Sequence, residues 1–219
     1  MTRGRRVDGV IFDWDGVLLD SLGAAFNVYN KIFERLGAER LTREEFLRLQ
    51  SPNWYEFYAK VGLPPASWKK VDGEWLRLYQ EERPSLHEDA LGCLGSLREA
   101  GLRLALVSNG SRVRVERELT RFRIRFCFEV IVLGGKREEL KPSPILLERA
   151  LHLMDLEPWK AVYVGDSPAD IQAARKALVP SVAIARGPIQ ADRLSEENPD
   201  HLFNGLRDFV DFLLVRADE

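Results

Sequence analysis

Cysteine is scarce: among 219 residues only Cys93 and Cys127 occur, far apart and at no spacing that suits a metal. That excludes a thiolate metal centre, and because each lies in apolar surroundings it reads as a small buried hydrophobe. An excess of charge of one sign is also missing. Lys and Arg number 32 against 34 Asp and Glu, so the formal net charge is -2. That balance argues against a general nucleic-acid binder, which carries a basic surplus. No apolar run is long enough to span a bilayer. Met1 to Arg6 is basic and precedes an apolar stretch, the outline of a secretion signal, but Asp8, Asp13 and Asp15 interrupt it and no small-residue cleavage site follows. The sequence therefore predicts a soluble, cytoplasmic protein. It holds no internal repeat and no low-complexity tract.

What is present is an alternation. Val7 to Phe12 is short, β-branched and mostly apolar, and it ends abruptly in an acidic, glycine-containing loop, the signature of a buried strand. The same grammar returns at Leu104–Val107, Val130–Leu133, Val162–Val164 and Val182–Ile184. Helical spacing fills the intervals at Ala90–Ala100, Arg112–Phe122, Pro144–Leu153 and Ala169–Ala177, and again at Leu206–Val215. Strand–helix alternation predicts an α/β fold, Rossmann-like, with a mainly parallel sheet. From Ser21 to Pro84 the alternation stops and only helical periodicity remains, at Leu22–Leu36, Arg43–Leu49, Trp54–Val61 and Ser67–Glu82. An all-helical piece directly after the first strand reads as an insertion. The expected organisation is a catalytic core of residues 1–20 and 85–219, with a helical cap of residues 21–84 over the carboxyl edge of the sheet.

In an open parallel sheet the loops leaving the carboxyl ends of the strands converge on one crevice, where ligands bind. The first strand delivers Asp13-Trp14-Asp15-Gly16 there, and the second Ser108-Asn109-Gly110. Lys141-Pro142 follows the third, and the fourth delivers Gly165-Asp166-Ser167 with Asp170 one turn on. Each piece alone has an ordinary explanation: a turn, a helix cap, a solvated lysine, a helix start with proline. Together they bring several carboxylates, a hydroxyl and an ammonium to one edge. Carboxylates so crowded repel, and a divalent cation resolves the conflict; an all-oxygen ligand set suits Mg²⁺. The lysine and serine then need an anion, and a phosphoryl group fits between them and the cation.

With these four motifs in place the sequence resembles the haloacid dehalogenase superfamily, specifically its phosphatase-type members with a helical cap, such as phosphoglycolate phosphatases. The family's first motif matches Val10-Ile11-Phe12-Asp13-Trp14-Asp15-Gly16, its second Ser108, its third Lys141-Pro142 and its fourth Gly165-Asp166-Ser167-Pro168-Ala169-Asp170. The resemblance implies that Asp13 is the nucleophile, forming an aspartyl-phosphate. It implies that Asp15 protonates the leaving group and then activates water. Asp13, the main-chain carbonyl of Asp15, and Asp166 are the implied Mg²⁺ ligands, with Asp170 behind them. Ser108, Asn109 and Lys141 are the implied contacts to a small phosphorylated substrate. Asp15 also separates branches, because a dehalogenase of this superfamily needs no acid at that position.

The inserted segment is rich in aromatics, with Trp54, Tyr55, Phe57, Tyr58, Trp68, Trp75 and Tyr79, and carries Lys60, Lys69 and Lys70. Rings at helical spacing are expected to form the cap's own core and the lysines to face water. Ser21 and the residues after it are expected to contact substrate, with Arg186-Gly187 a weaker candidate. Three alternatives stand beside the phosphatase. A phosphosugar mutase would typically carry a histidine early in the cap, which Ala24–Asn27 does not supply. A pyrophosphate or phosphonate hydrolase is the second; phosphonate cleavage would require a cap lysine, for which Lys60 is the candidate. The third is a regulatory protein that binds without turnover.

Overall fold

The computed structural model of the chain describes residues 7–215, so the basic stretch Met1–Arg6 lies outside the described residues. Six strands, β1 (Gly9–Phe12), β2 (Arg103–Ser108), β3 (Val130–Leu133), β4 (Ala161–Gly165), β5 (Ser181–Ile184) and β6 (His201–Phe203), form one sheet in the order β3-β2-β1-β4-β5-β6. Every neighbouring pair is parallel. The order reverses between β1 and β4, so the crevice where ligands bind such sheets opens beyond Phe12 and Gly165.

The pleat sends successive β1 side chains to opposite faces. Val10 and Phe12 pack into one layer with α5 (Ala90–Glu99), α6 (Arg112–Phe122) and α10 (Leu206–Val215). Ile11 points the other way, into a second layer with α7 (Ile145–Leu153) and α8 (Pro168–Lys176). Both faces of β1 are dry, which is why its sequence reads as a continuous apolar run. The strand is shorter than Val7–Phe12, because its partners β2 and β4 begin opposite Gly9 at Arg103 and Ala161. Two elements have no counterpart in the sequence reading: β6, and α9 (Pro188–Glu196). β6 is a three-residue edge strand with half-open faces, too short to show a period. α9 opens on proline after Gly187 and is mostly polar.

The segment after β1 is helical as expected: α1 (Leu22–Arg35), α2 (Arg43–Leu49), α3 (Trp54–Lys60) and α4 (Trp68–Glu82), with one 3₁₀ turn at Pro65–Ser67. Thr42 caps α2, accepting from Glu45 N while the Glu45 carboxylate accepts from Thr42 N. These helices bury Val28, Phe33, Phe46, Phe57, Tyr58 and Leu78 in a cluster of their own. Tyr29 stands at its centre, 4.6 Å from the Phe57 ring. Lys60, Lys69 and Lys70 are exposed. Among the described residues no helix is long and apolar enough to cross a membrane.

Candidate active site

The β1 exit is a tight turn. Leu18 and Leu19 N–H groups both donate to Trp14 O, and Gly16 N–H donates to Leu19 O. Gly16 takes φ +79°, and a Cβ there would lie 2.0 Å from Asp166 Oδ2, so only glycine lets β1 and β4 bring their loops this close. His87, from the approach to α5, places Nε2 3.1 Å from Gly16 O and braces the turn. Asp13 is thereby fixed at the strand end, 3% exposed, its N–H donating to Val164 O.

Lys141 is fully buried and its ammonium is surrounded. Nζ lies 2.8 Å from Asp13 Oδ1, 2.6 Å from Asp170 Oδ1 and 2.9 Å from the Tyr163 hydroxyl, three partners for three protons. Tyr163 in turn donates to Asp170 Oδ1 at 2.8 Å, and Ser167 N–H and Oγ donate to Asp170 Oδ2 at 3.1 and 2.6 Å. Both Asp170 oxygens are therefore committed. Asp166 Oδ2 and its main-chain oxygen each accept from Gln190 Nε2 of α9 at 2.8 Å. Ser108 is buried at the end of β2, its Oγ accepting from Gly110 N–H at 3.0 Å. The Asn109 side chain is spent as a clamp: Oδ1 accepts from Lys141 N–H at 2.9 Å, and Nδ2 donates to Pro52 O of the inserted segment at 2.9 Å.

Asp15 is more open than Asp13, with its side chain 34% exposed, and it is paired elsewhere. Arg114 of α6 donates to both of its oxygens, at 2.9 and 2.5 Å. Arg114 also reaches Glu118 at 3.1 Å, and Glu118 accepts from the Trp14 indole N–H at 2.7 Å. The rings of Trp75 and Tyr79 on α4 cover the guanidinium, with centroids 5.8 and 5.2 Å away.

The charges do not balance. Asp13, Asp166 and Asp170 present oxygens all within 4.8 Å of one another, against the single ammonium of Lys141. Burial, opposed by Lys141 and reinforced by Asp170, pushes the Asp13 carboxyl up to about 7. Burial, then Asp170 and Asp13, raises Asp166 well above the carboxylate range. Burial works against the Lys141 ammonium, but Asp13 and Asp170 outweigh it and hold its pKa above the ordinary value. A buried all-oxygen donor set with surplus negative charge fits a hard divalent cation, and the size and charge of Mg²⁺ suit it.

Above the carboxylates opens a cavity of about 330 Å³. Asp13, Asp15, Ser108 and Asp166 floor it, and Ser21, Leu22 and Ala25, from the stretch expected to contact substrate, flank it. Arg186 does not line it. Its guanidinium pairs with Asp89 at 2.8 Å and so ties the β5 exit to the start of α5. Sequence reasoning missed Arg114, Glu118, Tyr163 and Gln190. The one available signal was the Arg114 and Glu118 pair at helical i,i+4 spacing.

The model of the haloacid dehalogenase-like hydrolase family matches residues 10–184, from the middle of β1 through β5. The chain belongs to that family. Among proteins of known name, the phosphoglycolate phosphatase of Escherichia coli O157:H7 is 28% identical over 236 residues, covering 96% of this chain and 94% of the relative. The pyrophosphatase PpaX of Bacillus velezensis is 25% identical over 213 residues, covering 94% and 96%. The fold is that of the haloacid dehalogenase-like family protein SP0104 from Streptococcus pneumoniae, with TM-score 0.81 at 19% identity over 94% of this chain and 98% of that one.

Proposed function

We propose that this family member is a Mg²⁺-dependent phosphatase that hydrolyses a small phosphorylated metabolite in the cytoplasm through an aspartyl-phosphate on Asp13. One observation carries the reading: the buried Lys141 ammonium 2.8 Å from Asp13 Oδ1 at the reversal point of the sheet. Asp13 is buried there with Asp166 and Asp170 around it. Removed from water among other carboxylates, it raises the energy of the fold, and a phosphoryl group is what its neighbours are set to receive.

Asp13 attacks phosphorus with one oxygen; the bond from phosphorus to the leaving oxygen breaks, and Asp15 gives that oxygen a proton. Water then attacks the phosphorus of the aspartyl-phosphate while Asp15 takes its proton; the bond from phosphorus to the Asp13 oxygen breaks, inorganic phosphate leaves and Asp13 is regenerated. Lys141 neutralises the nucleophile and the transferring group, while Tyr163 and Asp170 hold it in place. Ser108 Oγ hydrogen-bonds a phosphoryl oxygen. The Asn109 side chain is occupied, so its contribution to substrate falls to the main chain. Because Arg114 holds both Asp15 oxygens, Asp15 must turn from the guanidinium and take up a proton from solvent before it can give one to the leaving oxygen.

When bound, Mg²⁺ supplies positive charge against the carboxylates and phosphoryl oxygens, and Asp13, the Asp15 carbonyl and Asp166 are the residues to hold it. Residues 21–84 act as a cap domain on a core of residues 1–20 and 85–219, a division supported by their separate apolar cluster. Phosphonate cleavage through Lys60 is disfavoured, since that lysine is exposed and does not line the cavity of Asp13.

Release of p-nitrophenol from p-nitrophenyl phosphate tests the reading. Turnover with Mg²⁺ should stop with EDTA and be lost in Asp13→Asn. Full activity in Asp13→Asn would refute the nucleophile, and an unchanged rate in EDTA would refute the metal.

A further inference from the structure

The cavity over Asp13 has two halves of opposite chemistry. Its floor is the carboxylate cluster, while its helical side is walled by Trp54, Phe57, Tyr58, Trp75 and Tyr79, with Leu76 at the margin. The expectation that these rings form the core of the inserted helices holds for Phe57, Tyr58 and Tyr79, which are buried, yet the same rings also face the cavity. Trp54 and Trp75 are only partly buried. Lys60, Lys69 and Lys70 all point to water, and none lines the cavity.

The cation among the lining residues is Arg114, and its guanidinium is already matched by two carboxylates, Asp15 at 2.5 Å and Glu118 at 3.1 Å. On the helical side the ionisable acid is Asp72, whose Oδ1 accepts from the Tyr58 hydroxyl at 2.8 Å. A substrate with a second anionic group, such as a carboxylate or another phosphate, would carry that charge into a ring-lined space that holds an acid. The unpartnered donors there are neutral, the indole N–H groups of Trp54 and Trp75 among them, and the guanidinium remains paired with Glu118 even when Asp15 turns away. Burying an unpaired anion is heavily penalised. A flat uncharged body would instead gain ring stacking and apolar burial.

Building on the phosphatase reading, we infer that the substrate is the phosphate monoester of an uncharged alcohol bearing an aromatic ring, with the phosphoryl group on Asp13 and the ring between α3 and α4. Phosphorylated acids and diphosphates are poor substrates.

The test measures kcat/KM of the full chain with Mg²⁺ for benzyl phosphate, phosphoglycolate, pyrophosphate and choline phosphate. Benzyl alcohol and glycolate both leave as alkoxides, so leaving-group strength does not separate that pair. Benzyl phosphate should exceed both phosphoglycolate and pyrophosphate at least tenfold. Trp75→Leu should reduce the ratio of benzyl phosphate to phosphoglycolate at least threefold. Leu76→Arg, at an exposed position of α4 that tolerates charge, should reduce it by raising the phosphoglycolate value. Equal or better use of phosphoglycolate or pyrophosphate by the wild type overturns the inference, and so does a preference for choline phosphate, which would indicate a cation site. Each of these results leaves the phosphatase standing. Absence of hydrolysis of all four and of p-nitrophenyl phosphate would refute the phosphatase reading itself.

Discussion

Replacing the proposed nucleophile with its neutral isostere, Asp13→Asn, should make the metal-free protein more stable while abolishing turnover. Three buried carboxylates share one ammonium, and burial raises the Asp13 carboxyl from 3.8 to about 7. At 1.36 kcal/mol for each tenfold change in proton affinity, keeping this group ionised in the folded state costs on the order of 4 kcal/mol. That cost is already net of the attraction to Lys141 at 2.8 Å; asparagine removes the cost but leaves a buried amide to be satisfied, at about 1–3 kcal/mol, while Lys141 keeps Asp170 and Tyr163. A net gain of about 2 kcal/mol is expected, or roughly 4–8 °C for a chain of this size. The direction with pH follows from linkage. A group that binds its proton more tightly when folded adds stability that is complete below 3.8 and vanishes as pH rises through about 7. The gain should therefore be largest above pH 7 and shrink on acidification. Thermal unfolding in EDTA at about pH 8 and about pH 5 measures it, and adding Mg²⁺ at the higher pH should raise the wild-type Tm more than that of the variant. A Tm for Asp13→Asn at or below wild type in EDTA at the higher pH would refute the claim that the carboxylate cluster strains the fold.

Arg114→Met leaves Glu118 buried without its guanidinium and should cost about 3–5 kcal/mol in urea unfolding, part of it recovered by adding Glu118→Gln; a loss below about 1 kcal/mol would show the network to be dispensable. Gly16→Ala forces a side chain onto φ +79° and against Asp166 Oδ2, so stability should fall by about 1–3 kcal/mol and turnover with it, measured by melting and by p-nitrophenol release. Burial, then Arg186, depresses the His87 pKa below its ordinary 6.5, so the stability it contributes is complete above 6.5 and is lost as pH falls through the depressed value. His87→Gln should accordingly lose less Tm than wild type between about pH 7.5 and pH 5.5, and equal losses in the two proteins would exclude His87 as a source of acid sensitivity.

The residues legible in the sequence are those whose position follows from local order alone. Asp13, Ser108 and Asp166 each follow a short apolar run, so a parallel sheet must carry them to one edge. Lys141 was legible only by company, since a lysine before proline says nothing alone. Tyr163 was not, because it lies within an apolar strand and reads as core; its hydroxyl finds Lys141 and Asp170 only after β4 docks beside β1. Gln190 rides on α9, which the polar composition concealed. Arg114 sits on a strongly polar helix, where an arginine reads as solvent-facing until the tertiary fold buries it beneath Trp75 and Tyr79. The inserted rings were legible as a helical core but not as a cavity wall, because periodicity reports which face is apolar and not what that face meets.

The two acids of the first motif are each given a buried cation, and the two arrangements differ in a way that bears on their work. Lys141 is enclosed by the sheet and α8, and the partners of its ammonium, Asp13, Asp170 and Tyr163, all lie outside the inserted helices. Arg114 is anchored from below by Glu118 but covered from above by rings of α4, an element of the inserted segment. A shift of α4 therefore changes the cover over the cation paired with Asp15, whereas the cation paired with Asp13 has no ring of α4 upon it. That asymmetry suits the chemistry. In the proposed mechanism Asp13 must stay on the line of attack through both half-reactions, whereas Asp15 must leave its guanidinium to reach the departing oxygen and later the incoming water.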